Sequence, residues 1–178
     1  MFVHTISGFV VNLLNPDPDT ISIQDIAHNL ARINRFNGAT KVPYSVADHS
    51  VWVSKVVPEE HALAGLLHDA SEAYLGDIVA PLKPLLRDYC YLEERFDAVI
   101  GKTFNVCVGG STPHEVRKAD KAAALLEMFA VEHPAYKEYQ VEIQNLDGVL
   151  RQQPIVPRSP EQAAENFINR FNEIAGDD

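Results

Sequence analysis

Residues 65–77, Gly-Leu-Leu-His-Asp-Ala-Ser-Glu-Ala-Tyr-Leu-Gly-Asp, close an apolar run with His68-Asp69 and place Glu72 and Asp77 shortly behind. A helix end that needed only a cap would be served by one polar residue. Four groups able to bind a cation or move a proton point instead to chemistry. Two more such groups stand in apolar surroundings, where an unpaired charge is costly: His49 inside Ser-Val-Ala-Asp-His-Ser-Val-Trp-Val, and Asp120 just ahead of Ala122–Phe129. Together His49, His68, Asp69 and Asp120 offer two imidazole nitrogens and two carboxylates from three separate segments. Such donors suit a divalent Mn, Fe, Co or Zn, with Mg admitted by the carboxylates, and leave positions open for water and substrate. Neighbours on a helix diverge by about 100°, so His68 and Asp69 reach one ion from a helix end, where the backbone turns away. Glu72 follows His68 by four and Asp69 by three, and projects over the same site if the helix continues.

These side chains need elements to position them. The first twenty residues mix β-branched and aromatic types around Ser7-Gly8 and break at Pro16 and Pro18, which reads as a short hairpin or extended arm followed by a turn. Ile23, Ile26, Ala27, Leu30 and Ile33 recur at helical spacing, predicting a helix capped by Ser22, with Asp25 at the third following position, that stops near Asn37-Gly38. A second helix is expected over 45–57, ended by Pro58, and a third from Glu59-Glu60 into His68-Asp69. Pro81 and Pro84 punctuate the next loop. A longer helix fits 85–104, with Leu92, Phe96, Val99 and Ile100 as its stripe and Gly109-Gly110 as its stop. Thr112-Pro113 reads as N-cap and first residue of a helix that carries Asp120 and runs to His133. Ser159-Pro160 repeats that start for a final helix striped by Phe167, Phe171 and Ile174. No internal repeat or low-complexity linker divides the chain, so one mostly helical domain over 1–178 is expected.

A chain of 178 residues is long enough to bury roughly two-thirds of its unfolded surface without disulfide or metal staples. Cys90 and Cys107 match no zinc or redox spacing. The opening Met1-Phe2-Val3-His4 is not the basic start of a secretory signal, and no apolar run approaches about 18 residues. A cytoplasmic protein with no membrane partner is the expectation. The net charge of -10, from 25 acidic and 15 basic residues, disfavours a polyanion-binding surface, so nucleic acid is not the expected partner. A small anionic ligand stays open, because a metal and a few positioned cations reverse the potential locally.

Ser-Val-Ala-Asp-His-Ser at 45–50, Leu-Leu-His-Asp-Ala-Ser-Glu-Ala-Tyr-Leu-Gly-Asp-Ile at 66–78 and Lys-Ala-Asp-Lys-Ala-Ala-Ala-Leu-Leu-Glu at 118–127 together resemble the HD-domain metal-dependent phosphohydrolases. The likeness is greatest to the small 5′-deoxynucleotidases and to the related short deoxynucleoside triphosphate hydrolases of bacteria and phages. It spans residues 22–130. It implies an all-α HD-domain helical bundle: an N-terminal arm or hairpin over 1–20, a catalytic core over 22–130 and a helical region over 131–178. It implies a metal on His49, His68, Asp69 and Asp120, an acid pair at Glu72 and Asp77, and an Arg-aromatic pair at Arg35-Phe36, where Trp is the commoner aromatic. The implied substrate is a small-molecule deoxynucleotide, and the implied assembly a homo-oligomer. The ion would acidify water and polarise a phosphoryl oxygen, Arg35 would neutralise developing charge, and Glu72 or Asp77 would orient the water or transfer a proton. The 19-residue step from His49 to His68 is shorter than in many monophosphate-specific members, which leaves monophosphate and triphosphate both open.

Each residue taken alone has a plainer explanation. A lone His49 is more often a satisfied core histidine, Asp77 after Gly76 can make a turn, and Glu72 can be a solvated helix residue; the joint pattern carries the metal reading. His61 lies seven before His68 on the same face, and His28 can brace the site or simply pack. Arg35, Lys41, Lys83, Arg117, Lys118 and Lys121 are the candidate phosphate partners. Arg35 leads because a guanidinium binds phosphate bidentately, and Lys83 follows. Phe36 and Tyr44 offer rings to stack on a base. Two other functional classes remain: a module that senses a nucleotide without turning it over, and a cyclic-nucleotide phosphodiesterase. Proton-transfer groups beside the metal set argue against the first, and the second needs a different anion pocket.

Overall fold

The computed structural model describes residues 1–146 and 148–176. It is mostly helical, with a two-stranded antiparallel hairpin at its N-terminal end, the expected all-α architecture. In the hairpin, β1 (Phe2–His4) pairs with β2 (Val10–Asn12), Val3 facing Val11. Val11 is completely buried. Among the described residues no helix is long and apolar enough to cross a membrane.

Helix α1 (Ile23–Leu30) starts after Ser22, whose hydroxyl meets Gln24 Oε1 instead of capping the first turn. Asp25 accepts the Ser7 N–H at 2.9 Å, so this buried acid ties the hairpin to the helix and completes no capping box. The helix stops at Leu30, well before the expected Asn37-Gly38. Asn34 bridges to Ser45, and the Arg35 N–H donates to the Tyr44 carbonyl at 2.8 Å. Between these pairings Phe36 and Asn37 take φ of 55° and 52°, left-handed values that a right-handed helix cannot contain. Arg35 therefore sits on a loop braced against the start of the next helix.

That helix, α2 (Val46–Val56), is buried at every position from Val46 to Ser54 although these include Asp48, His49, Ser50 and Ser54, so its buried polar groups need partners. Ser45 caps it by accepting the Asp48 N–H. Asp48 in turn holds Arg158 at 2.9 Å. A 3-10 turn at Glu59–His61 leads into α3 (Ala62–Leu67). A Cβ on Gly65 would come within 3.0 Å of the Ser54 Cα, so glycine is what lets α2 and α3 approach this closely. The helix ends at His68-Asp69 as expected, and helical structure resumes only in the short α4 (Glu72–Leu75).

Helix α5 (Arg87–Phe104) ends at left-handed Asn105, φ 50°, and not at Gly109-Gly110. Helix α6 (His114–Ala130) takes extended Pro113 as its N-cap, one residue later than the Thr112-Pro113 reading, and ends before His133. Two short helices, α7 (Gln140–Gln144) and α8 (Gly148–Gln152), precede α9 (Pro160–Ala175). The Ser159 start of α9 is as expected, with a full capping box to Gln162. Helix α9 packs on α1, α2 and α3, where Phe167 joins Ile26, Leu30, Leu66, Phe96 and Ile100 in the main core. A second cluster of Trp52, Val53, Val116, Ala119 and Ala123 clamps α6 onto α2. That clamp brings Asp120 opposite His49.

Candidate metal centre

His49 lies in the second turn of α2, fully buried and aimed at the point where the chain breaks after α3. Its Nε2 is 3.2 Å from His68 Nε2, 3.5 Å from Asp69 Oδ2 and 3.2 Å from Asp120 Oδ1. His68 Nε2 is 3.2 Å from Asp69 Oδ2 and 3.9 Å from Asp120 Oδ1. Two donors each about 2.1 Å from one ion sit roughly 3.0 Å apart at right angles and about 3.4 Å apart at the tetrahedral angle. The spacing fits: His49, His68 and Asp69 could hold a metal ion, and Asp120 stands within the same reach of both imidazoles. The broken helix makes this possible, because the turn at 68–71 brings two adjacent side chains to one point.

The outer face of each imidazole is pinned. His68 Nδ1 meets the Gly65 carbonyl at 2.8 Å; a carbonyl can only accept, so Nδ1 carries the proton and Nε2 presents its lone pair inward. His49 Nδ1 meets Glu127 Oε1 at 2.6 Å, and that carboxylate imposes the same tautomer. Four acceptors thus converge, an arrangement that calls for positive charge between them. The proton affinities agree. Burial and the Arg35 charge pull His49 down, yet the Glu127 and Asp120 carboxylates hold it up at about 10. His68 is likewise raised, Asp69 beside it outweighing burial. Burial lifts Asp69 and Asp120, but the imidazoles win and hold both below the usual carboxylate range.

Glu127 was missed from sequence. It is completely buried on α6 and bridges His49 to Arg35, whose Nε donates to Oε2 at 3.2 Å. A signal existed: Glu127 lies seven residues after Asp120, the same helix face, and is the lone acid in the run from Ala122 to Phe129. Arg35 is at the cluster as expected, its Nη1 3.9 Å from Asp69 Oδ2. Burial opposes its charge, but Glu127 and Asp69 raise its pKa further above the ordinary value.

Glu72 is buried beside the cluster, with Oε1 3.5 Å from Lys83 Nζ and Oε2 lacking a partner. Burial, then the Asp69 and Asp77 charges, push its pKa up to about 9, so it carries a proton at neutral pH. Asp77 is half-buried and raised by burial. It lines a cleft of about 350 Å³ with Asn34, Asn37, Ile78 and Leu82. A second cavity of about 400 Å³ opens on His68, Asp69 and Asp120 and includes Lys83, Asp97 and Arg117. Lys83 spans Glu93 at 2.7 Å and Glu72, and their charges raise its pKa despite burial. Burial pushes Asp97 up to about 6.

Other candidates lie elsewhere. Tyr44 is 1% exposed, which removes it as a stacking ring. Phe36 packs on His133, 5.2 Å between centroids, with the Arg35 guanidinium 5.6 Å away. Lys41 pairs with Glu132, and Lys118 lines a cavity with Val56, Val57 and Leu150. Lys121 is exposed. His61 pairs with Glu115 at 3.6 Å, and His28 is half-buried on α1.

No family profile matches the chain. The sequence is 39% identical over 182 residues to YfdR, an uncharacterized protein of Escherichia coli K12, an alignment that covers 98% of this chain and 96% of that protein. It is 38% identical over 128 residues to an uncharacterized protein of Rhodobacter capsulatus, covering 66% of this chain and 64% of the other.

Proposed function

This chain belongs to the family of the Escherichia coli protein YfdR, and for it we propose metal-dependent hydrolysis of the 5′-phosphate ester of a deoxynucleoside monophosphate. The observation that carries the proposal is the convergence of His49, His68, Asp69 and Asp120, with Glu127 and the Gly65 carbonyl turning both imidazole lone pairs inward. Such pinning serves a cation better than a structural core. The resemblance to HD-domain phosphohydrolases supports the reaction and the deoxynucleotide class.

His49, His68, Asp69 and Asp120 would hold a divalent Mn, Co, Zn or Fe, which would supply Lewis acidity for a phosphoryl oxygen and for water at neutral pH. Arg35, anchored through Nε on Glu127, offers its remaining N–H groups to the phosphate and offsets its charge. Glu72 is the proton carrier. The water oxygen bonds to phosphorus, the bond from phosphorus to O5′ breaks, the Glu72 proton goes to O5′, and a proton from the water restores Glu72. With Oε1 turned to the Lys83 ammonium, Oε2 is the oxygen placed to carry the transferable proton. Asp77 orients the substrate from the neighbouring cleft.

Cation supply favours one phosphate over three. A triphosphate brings about four negative charges, whereas Lys83 already spans Glu72 and Glu93, and Lys118 lies in another cavity. Arg117, with its Nη1 donating to the Thr112 carbonyl, adds one more cation at the cavity wall. The test incubates the purified chain, stripped with chelator and reloaded with Mn²⁺ or Co²⁺, with dAMP and dATP separately. Chromatography then resolves phosphate, pyrophosphate and tripolyphosphate. Orthophosphate from dAMP with dATP left intact is expected. Tripolyphosphate from dATP would replace the monophosphate reading, and no product from either would remove the hydrolase.

A further inference from the structure

His49 points into the cluster, and the residue before it points elsewhere. Adjacent side chains on a helix diverge by about 100°, so Asp48 leaves the cluster, and its carboxylate is completely buried. What meets it is the irregular segment 153–158, which joins α8 to α9. Arg158 donates from Nη1 to Asp48 Oδ1 at 2.9 Å and to the Val156 carbonyl at 3.0 Å. One turn further along α2 the Trp52 indole N–H donates to the Gln153 carbonyl at 3.1 Å. Asp48 and Trp52 are four residues apart and share a face, so the segment runs along that face as a strap. The space left beneath it, lined by Tyr44, Val51 and Lys55, is only about 30 Å³. This strap lies outside residues 22–130, which carry the HD-domain resemblance, and no step of the proposed hydrolysis uses it.

The turn that Arg158 grips does more than start a helix. Ser45 Oγ donates to Asp48 Oδ2 at 3.0 Å while accepting the Asp48 N–H, and the Ser45 carbonyl accepts the His49 N–H at 3.1 Å. Alongside, the Tyr44 carbonyl holds the Arg35 N–H, and the Val46 N–H donates to the Ile33 carbonyl at 3.0 Å. One helical turn thus sets the place of His49 and of the loop that carries Arg35. A buried charge pair is a poor source of net stability, since apolar residues of similar volume often do as well; its use is to fix one geometry.

On the metal-dependent reading above, we propose that Arg158 is a positioning residue for the metal centre, holding the first turn of α2 through Asp48 so that His49 and the Arg35 loop face His68, Asp69 and Asp120. Arg170 supplies the comparison. It comes from the same C-terminal part of the chain and also bonds α2, Nε to Ser54 Oγ and Nη2 to the Ser54 carbonyl, both at 3.1 Å. Its grip is on the far end of the helix from Asp48.

Co²⁺ titration followed by visible absorption, run beside a thermal midpoint on the full chain, separates positioning from support. Arg158→Met is expected to weaken Co²⁺ binding about 10-fold, the low end for losing a group that orients a ligand, and to alter the cobalt spectrum. Arg158→Lys keeps a cation for Asp48 and should restore most of both. Arg170→Met should lower the thermal midpoint yet bind Co²⁺ like wild type. Should Arg158→Met fail to fold, adding Asp48→Asn removes the stranded carboxylate, and the pair is expected to show the same loss of affinity. A folded Arg158 variant that loses stability alone, with wild-type affinity and spectrum, would overturn the proposal, as would an equal loss of affinity in Arg170→Met. A wild type that binds no Co²⁺ would remove the centre and its brace together. Kinetics on dAMP keeps the two readings apart: Co²⁺ weakened by Arg158→Met with no dAMP turned over by wild type would sink the hydrolase and leave this role of Arg158 standing.

Discussion

Glu127 Oε1 lies 2.6 Å from His49 Nδ1, two completely buried side chains 78 residues apart in the chain. The contact costs desolvation of a carboxylate, which the imidazole and Arg35 offset by holding Glu127 ionised. Its consequence is directional: the proton is kept on Nδ1 and the lone pair on Nε2, toward His68, Asp69 and Asp120. Glu127→Gln preserves size but removes the charge that enforces this tautomer. Metal affinity is expected to fall roughly 10–100-fold, the usual effect of losing such an outer partner. Titration with Co²⁺ followed by its visible absorption measures it, and unchanged affinity would show that Glu127 only serves packing and Arg35.

The proposed ligands themselves make a larger difference. His68→Ala or Asp120→Ala removes one of the four converging donors and should leave purified protein without stoichiometric metal. Neither side chain belongs to the packed apolar clusters, so the helical circular dichroism should persist. Elemental analysis of both variants decides it, and metal retained at full stoichiometry in both would break the assignment.

Much of this site was legible because its donors interrupt apolar runs. His49 and Asp120 stand among residues that otherwise fill the core, and His68-Asp69 ends an apolar segment, so the types alone suggested that they meet. The helices were legible for a related reason: local periodicity and the Ser159 cap mark α9, and the stripe through Phe96 and Ile100 marks α5. What stayed hidden depends on distant partners. The early end of α1 follows from Asn34 and Arg35 pairing with Ser45 and Tyr44, which no window around residue 30 contains. The end of α3 at His68-Asp69 was legible, but the return to helix at Glu72 was not, because four residues are too few to show a period. Lys83 looked available in the sequence, and only folding brings Glu93 to it.

The pH dependence of stability follows from two raised groups. His49 stands at about 10 in the fold against an ordinary 6.5, so its contribution is complete below pH 6.5 and is lost as pH climbs toward 10. Glu72, at about 9 against 4.5, has the same sign: the fold prefers its protonated form, and stability declines as pH rises between those values. Protein kept in chelator should therefore show a thermal midpoint that falls from pH 6.5 to 10. A divalent ion takes over from the protons, so Mn²⁺ should raise the midpoint most at the alkaline end. Differential scanning fluorimetry with and without Mn²⁺ across this range checks both statements. A chelated midpoint that rises with pH would show that the imidazoles are neutral in the fold.

Glu72→Gln tests the proton carrier with little change of shape. The amide keeps the Lys83 contact but has no proton to give, so kcat on dAMP should drop roughly 10²–10⁴-fold while metal content and KM hold. Asp77→Asn, by contrast, should raise KM more than it lowers kcat, because Asp77 lines the adjoining cleft. A kcat unmoved by Glu72→Gln would leave the leaving oxygen to be protonated by solvent.

Arg35→Lys separates charge from geometry. The guanidinium uses Nε for Glu127 and keeps its other nitrogens for an anion, whereas a single ammonium must choose between the two. Glu127 is completely buried, and a buried carboxylate left alone is costlier than an unmet phosphate, so the ammonium should side with Glu127. Stability is then expected to survive, while kcat/KM on dAMP falls on the order of 10²-fold through both KM and kcat. Kinetics paired with a thermal midpoint reads the two consequences apart. Wild-type kcat/KM in the Lys variant would mean that phosphate charge is met by the metal and Arg117, with Arg35 serving only to hold Glu127 on His49.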